Sequence, residues 1–147
     1  VATCSRAASP CGCRKMPSSV SAPEISSSAT ASAMAAGALV SLRGGTNEQI
    51  GHAVAMALKN LMGLVCDPVG GLVEYPCQNR NAAGVANALI AAELSLSGIR
   101  QLIPFDQMLD AMYAVGKRLP AELRETALGG CAATPAACAA CGLCSGN

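Results

Sequence analysis

Apolar positions in this chain recur at the three-to-four-residue spacing of helices, with no sustained alternation of period two. From Ala29 to Leu42, Met34, Leu39 and Val40 stand among small residues, and the stretch reads as a helix. Arg43-Gly44-Gly45 ends it, with glycine where a left-handed C-terminal residue is needed. Thr46-Asn47-Glu48-Gln49 then has the form of a capping box, in which the threonine hydroxyl meets a first-turn amide and Gln49 reaches back. Ile50, Ala53, Val54, Ala57, Leu58 and Leu61 carry this second helix to about Leu64, placing Cys66 at its C-terminal end. Asn81 is the expected cap of a third helix running to about Ser97, with Val85, Leu89, Ala92 and Leu96 as its apolar face. Gly98 stops it, and Pro104 starts a fourth helix whose face is Phe105, Met108, Leu109, Met112 and Val115. Pro120 begins a short amphipathic helix through Arg124, which Gly129-Gly130 breaks. The predicted fold class is all-α.

Composition changes this picture in one respect. Hydrophobic residues make up 52 % of the 147, but aromatics only 2 % and charged residues 13 %, so the helices are alanine-rich and apolar on much of their circumference. Such faces need cover from further sequence or a partner subunit. The length suits one domain or a piece of a larger one. A net charge of +1 without a basic run excludes the electrostatic footprint of a nucleic-acid or membrane-surface partner. The apolar segment 82–97 is too short for a membrane span and carries Glu93. No signal peptide opens the sequence, and the expected compartment is cytoplasmic.

Nine cysteines, an odd number in local clusters, fit metal ligation better than a disulfide framework. The stretch from Cys66 to Asn81 concentrates the chemistry. Pro68 and Pro76 lack a backbone donor, Gly70-Gly71 supplies conformations that other residues reach only with strain, and Cys66 and Cys77 bracket the loop. Ten intervening residues are too many for a structural zinc knuckle. A cluster held by fewer than four protein thiolates leaves one iron open as a Lewis acid. Gln78, Asn79, Arg80 and Asn81 follow as a row of donors, and Arg80 can pair bidentately with a substrate carboxylate. His52, Lys59 and Glu74 are candidates for a general base by chemistry alone, with an edge-of-core role the commoner one for the lone histidine.

Both ends differ from the middle. Residues 1–28, with Cys4, Cys11 and Cys13, are rich in Ser, Ala and Pro and show no periodicity. At the other end Cys138, Cys141 and Cys144 follow Cys131 with the spacing that opens a ferredoxin-type motif.

The segment from about Ala31 to Pro135 resembles the C-terminal part of the alpha chain of iron–sulfur L-serine dehydratase. The resemblance rests on Ala31-Ser-Ala-Met-Ala-Ala36, Gly44-Gly45-Thr46, Cys66-Asp-Pro-Val-Gly-Gly-Leu-Val73, Pro76-Cys77, Arg80-Asn81-Ala82, Glu125-Thr126-Ala-Leu-Gly-Gly130 and Ala132-Ala-Thr-Pro135. It implies an all-helical catalytic domain that converts L-serine to pyruvate and ammonia, with a [4Fe–4S] cluster and no pyridoxal phosphate. It also implies that Cys66 and Cys77 are two of three cluster ligands, with Asn79, Arg80 and Asn81 toward the substrate. A tail cysteine, Cys144 or Cys141, would fold back on the open iron. A beta chain or a second copy is the expected protein partner. The third ligand should be a cysteine, but ungapped counting puts its place at Glu24, where the surrounding residues also depart from the family.

The expected division is therefore 1–28 as a non-matching start, either disordered or mistranslated or spliced on, for instance by a frameshift that translation of the other reading frames would test, 29–135 as the dehydratase segment, and 136–147 as the tail. With one ligand and much of the pocket missing, the isolated chain is expected to have little dehydratase activity. The alternative function is a non-catalytic metal-binding or electron-transfer module built on the tail cysteines.

Overall fold

The structure, a computed structural model, describes residues 26–72 and 74–140. Cys4, Cys11, Cys13, the Glu24 position, Cys141 and Cys144 lie outside the described residues. The described elements are helical: α1 (Ser27–Leu42), α2 (Asn47–Asn60), α3 (Cys77–Leu96), α4 (Phe105–Arg118) and α5 (Pro135–Ala140), with short 3-10 turns at Val69–Gly71, Ala121–Leu123 and Gly130–Ala133. Among the described residues the one β-type pairing is an isolated parallel bridge between Cys66 and Arg124. The all-α class expected from the hydrophobic spacing holds. The chain divides into two compact units, one containing residues 65–78 and 119–140, the other 26–64 and 79–118.

In the second unit α2 packs on both α1 and α4. α1 buries Ala29, Ala33, Ala36 and Val40, one face at alternating spacings of four and three. Side chains this small let the helices come close. A Cβ added at Gly37 would stand 2.9 Å from a Val54 methyl on α2. Ala53, Met56, Ala57 and Leu58 of α2, Ala88, Ala91 and Ala92 of α3, and Met108 and Met112 of α4 complete one core. The thioethers supply the bulk that the alanines lack.

Local signals set several boundaries. Gly44 takes a φ of 76° just past α1, as its position requires. The Thr46 hydroxyl accepts from Gln49 N at 3.2 Å, and the Gln49 side chain accepts from Thr46 N at 2.9 Å. This is the capping box in both directions. Thr46→Ala is expected to lower stability by about 1 kcal/mol, read as a reduced denaturant midpoint at constant slope.

Four expectations are corrected. α2 ends at Asn60, not Leu64: Leu61, Met62 and Leu64 donate to carbonyls three residues back, and Gly63, at φ 78°, turns the chain. Cys66 therefore lies beyond a turn and is not at a helix C-terminus. α3 starts at Cys77, so Asn81 is inside it and caps nothing. Pro76 can precede that first turn because no amide is needed there. Val85 and Leu89 are exposed (61 % and 49 %), while Ala88, Ala91, Ala92 and Ser95 are buried. Hydrogen bonds choose that face: Ser32 Oγ donates to Gly84 O (2.7 Å), Asn87 Nδ2 to Ala57 O (3.1 Å), and Ser95 Oγ to Gln49 O (2.7 Å). Finally, the segment after Pro120 is a 3-10 turn, Ala121–Leu123, closed by Leu123 N to Pro120 O at 2.9 Å.

Candidate metal centre

The first unit is built around the cysteine loop. Cys66 is held as extended backbone: its N–H donates to Leu123 O at 2.9 Å and its carbonyl accepts from Glu125 N at 2.5 Å. Pro68 follows buried. Val69 N donates to Tyr75 O at 2.9 Å, drawing the two arms of the loop together with Cys66 on one and Cys77 on the other. Between them Gly70 and Gly71 take φ of 66° and 72°, a left-handed pair that strains any other residue. The Tyr75–Pro76 peptide is cis. Leu72 and Tyr75 face solvent at the tip, Cys66 is half-buried, and Cys77 is buried as the first residue of α3.

Cys131, in the Gly130–Ala133 turn, and Cys138, on α5, belong to the same unit. Both elements pack on the Val69–Gly71 turn. Cys66, Cys77, Cys131 and Cys138 are outside any disulfide. Thiols are the right donors for iron–sulfur chemistry. Among the described residues, however, no three His, Cys, Asp or Glu side chains gather so that they could hold a metal ion. The loop carries two thiols, Cys66 and Cys77, and position 24, where the third ligand was expected, is outside the described residues.

The candidates for substrate contact belong to the second unit. Asn79, Arg80 and Asn81 lie in the opening turns of α3, so their side chains fan about its axis and do not form the single row expected of a loop. The Asn81 Oδ1 accepts from Ser28 Oγ at 2.6 Å. Together with Ser27, Ser28, Ser32 and Val85 it lines a cavity of about 400 Å³.

Of the candidate bases, His52 and Lys59 are occupied on the α3–α4 connection. His52 Nδ1 accepts from Gln101 N (3.3 Å), and Lys59 Nζ donates to Gln101 Oε1 (2.9 Å). The His52 Nε2 is buried and lies 3.6 Å from Glu48 Oε1. Glu74 is exposed in the loop.

Sequence reasoning passed over Asp67. This carboxylate is 1 % exposed and accepts from Cys131 N at 2.5 Å. The available signal was an acidic residue set directly between a cysteine and a proline. At Gly130, expected to break the preceding helix, a Cβ would overlap the Asp67 carboxylate.

This same loop lies inside a family match. The serine dehydratase alpha-chain model matches residues 5–132, which takes in most of the 1–28 segment as well. The chain is 58 % identical over 106 residues to a Bacillus subtilis protein named "Probable L-serine dehydratase, alpha chain", covering 72 % of this chain and 35 % of that one. It is 55 % identical over 106 residues to the protein of the same name from Latilactobacillus sakei, covering 72 % and 51 %. The L-serine dehydratase alpha chain of Peptoniphilus asaccharolyticus is 55 % identical over 103 residues, covering 70 % and 35 %. The chain thus spans between a third and about half the length of these relatives. A two-cysteine loop bent on paired glycines, inside a match over most of the sequence, places this chain in the serine dehydratase alpha-chain family.

Proposed function

We propose that this chain supplies the cysteine loop of an L-serine ammonia-lyase, an enzyme that converts L-serine to pyruvate and ammonia. The observation that carries the reading is the closed Cys66–Cys77 loop within the family match. Cys66 and Cys77 would hold two corners of a [4Fe–4S] cluster, with the remaining protein ligand outside the described residues. When bound, such a cluster supplies a Lewis-acidic iron that makes the serine hydroxyl a better leaving group.

The chain's own contribution would be to hold those two thiols on a loop closed by backbone hydrogen bonds. Arg80, with Asn79 and Asn81 nearby in α3, has the chemistry to bind and orient the substrate carboxylate. Loss of the α-proton and of water gives aminoacrylate, whose hydrolysis releases ammonia and leaves pyruvate.

The reading includes a beta chain or a second copy as partner, and a cytoplasmic setting. Exposed apolar side chains support further protein cover: Val85, Leu89 and Ile90 on α3, Phe105, Leu109 and Tyr113 on α4. Among the described residues no helix is long and apolar enough to cross a membrane.

The test is pyruvate release from L-serine by the anaerobically prepared enzyme, expressed with the remaining alpha-chain sequence and any beta chain encoded beside it. Serine-dependent pyruvate formation that is lost in air and returns with iron and sulfide is the expected result. Oxygen-insensitive activity, or none in the loaded enzyme, would sink the proposal.

A further inference from the structure

We propose that Asp67 is a positioning residue whose buried carboxylate locks the segment 123–131 around Cys66 and so fixes that thiol. The inference rests on reading Cys66 as a ligand. A carboxylate in the interior is costly unless it is hydrogen-bonded, so a buried Asp directly after a candidate ligand calls for a reason beyond filling space.

Its placement provides one. Residues 66 and 67 make three hydrogen bonds to one segment: Cys66 N to Leu123 O (2.9 Å), Glu125 N to Cys66 O (2.5 Å), and Cys131 N to Asp67 Oδ2 (2.5 Å). The first two hold the Cys66 backbone on both its polar groups. The third holds the far end of the same segment and keeps it from swinging away.

The segment itself is under conformational demand. Glu125 and Ala127 have left-handed φ of 60° and 55°, unfavourable for residues with a Cβ, and Gly130 has 59°. Strained backbone of this kind persists where its surroundings over-determine it, and such segments cluster at functional sites. At Gly130 the requirement is twofold, since a side chain would both oppose the φ and overlap the Asp67 carboxylate. The Cys66 backbone is thus pinned at N and O, and its neighbour's side chain is anchored as well. A ligand held this way needs no reordering when metal binds.

Site-resolved alkylation of the metal-free chain by iodoacetamide, read by peptide mass spectrometry, tests the role without any cluster. Asp67→Ala and Gly130→Ala should each raise the Cys66 rate about tenfold, while Asp67→Asn, which keeps an oxygen for Cys131 N–H, should stay within about twofold. Helix content by circular dichroism should be unchanged in all three. Iron retention after reconstitution and challenge with a chelator should follow the same order, weakened about tenfold or more in the first two variants and rescued in the third.

An unchanged Cys66 rate in Asp67→Ala, or an Asp67→Asn that behaves like alanine, would overturn the proposal. If Asp67→Ala does not fold, Gly130→Ala decides: a faster rate supports the role and an unchanged one refutes it. Should the wild-type chain, expressed with the remaining alpha-chain sequence, take up no iron and sulfide, the cofactor reading fails while the alkylation rates still judge Asp67.

Discussion

In the assembled enzyme, Cys66→Ala is expected to lower pyruvate release from L-serine by at least about a hundredfold, with Cys77→Ala equally damaging. The backbone that shapes the loop gives this prediction its force. Cys66 is tied to Leu123 and Glu125 through N–H and carbonyl groups, which alanine retains. Val69 and Tyr75 close the loop without either thiol. The substitution therefore removes a donor and leaves the scaffold, so circular dichroism and the unfolding midpoint should move little. Cys77 is buried, and its loss leaves a void of one sulfur atom at the start of α3, where small destabilisation is tolerable. Activity surviving either variant at near wild-type level would show that the loop cysteines are not ligands.

Met108→Ala should destabilise the second unit by about 2–5 kcal/mol, a large share of the 5–15 kcal/mol typical of a domain. Met108 is 1 % exposed and is the largest of the fully buried side chains. Its neighbours in the core are mainly alanines fixed on rigid helices, which have no side-chain length with which to reach into the space vacated. The cavity thus stays open and the cost lies above the bare transfer term. Leu102→Ala is the control, because Leu102 is 96 % exposed and should shift stability by less than about 0.5 kcal/mol. Urea unfolding of the three chains gives the comparison directly. Equal midpoints for Met108→Ala and wild type would mean that the core is not packed as described.

What could be read from the sequence was what short-range chemistry decides. Thr46 and Gln49 satisfy each other across three residues, Gly44 ends α1, and Pro104 precedes α4, so these boundaries are visible without a structure. The cysteine loop was visible because prolines and paired glycines exclude regular structure by themselves. The misreadings have a different origin. Val85 and Leu89 are bulky apolar residues of α3, but Ser32, Asn87 and Ser95 make hydrogen bonds that turn its alanine face inward. Hydrophobic periodicity ranks side chains by size and cannot see a polar bond that links positions 30 to 52 apart. Asp67 is the clearest case. Its partner Cys131 lies 64 residues on, and no local pattern in either stretch announces the other. The Cys66–Arg124 bridge is equally non-local, and it replaces the helix end on which Cys66 was expected to sit. The loop was thus legible as irregular backbone, whereas the hydrogen bonds that tie residues 66 and 67 to the segment 123–131 were not.

The most direct test of the central claim is iron and acid-labile sulfide analysis of the anaerobically reconstituted enzyme, this chain expressed with the remaining alpha-chain sequence, together with its electronic absorption spectrum. The account predicts iron and sulfide in equal amounts and an iron–sulfur absorption band, both lost when Cys66 and Cys77 are replaced together and both kept when Cys138, Cys141 and Cys144 are replaced. A metal centre that survives loss of the loop cysteines and disappears with those of the tail would contradict it.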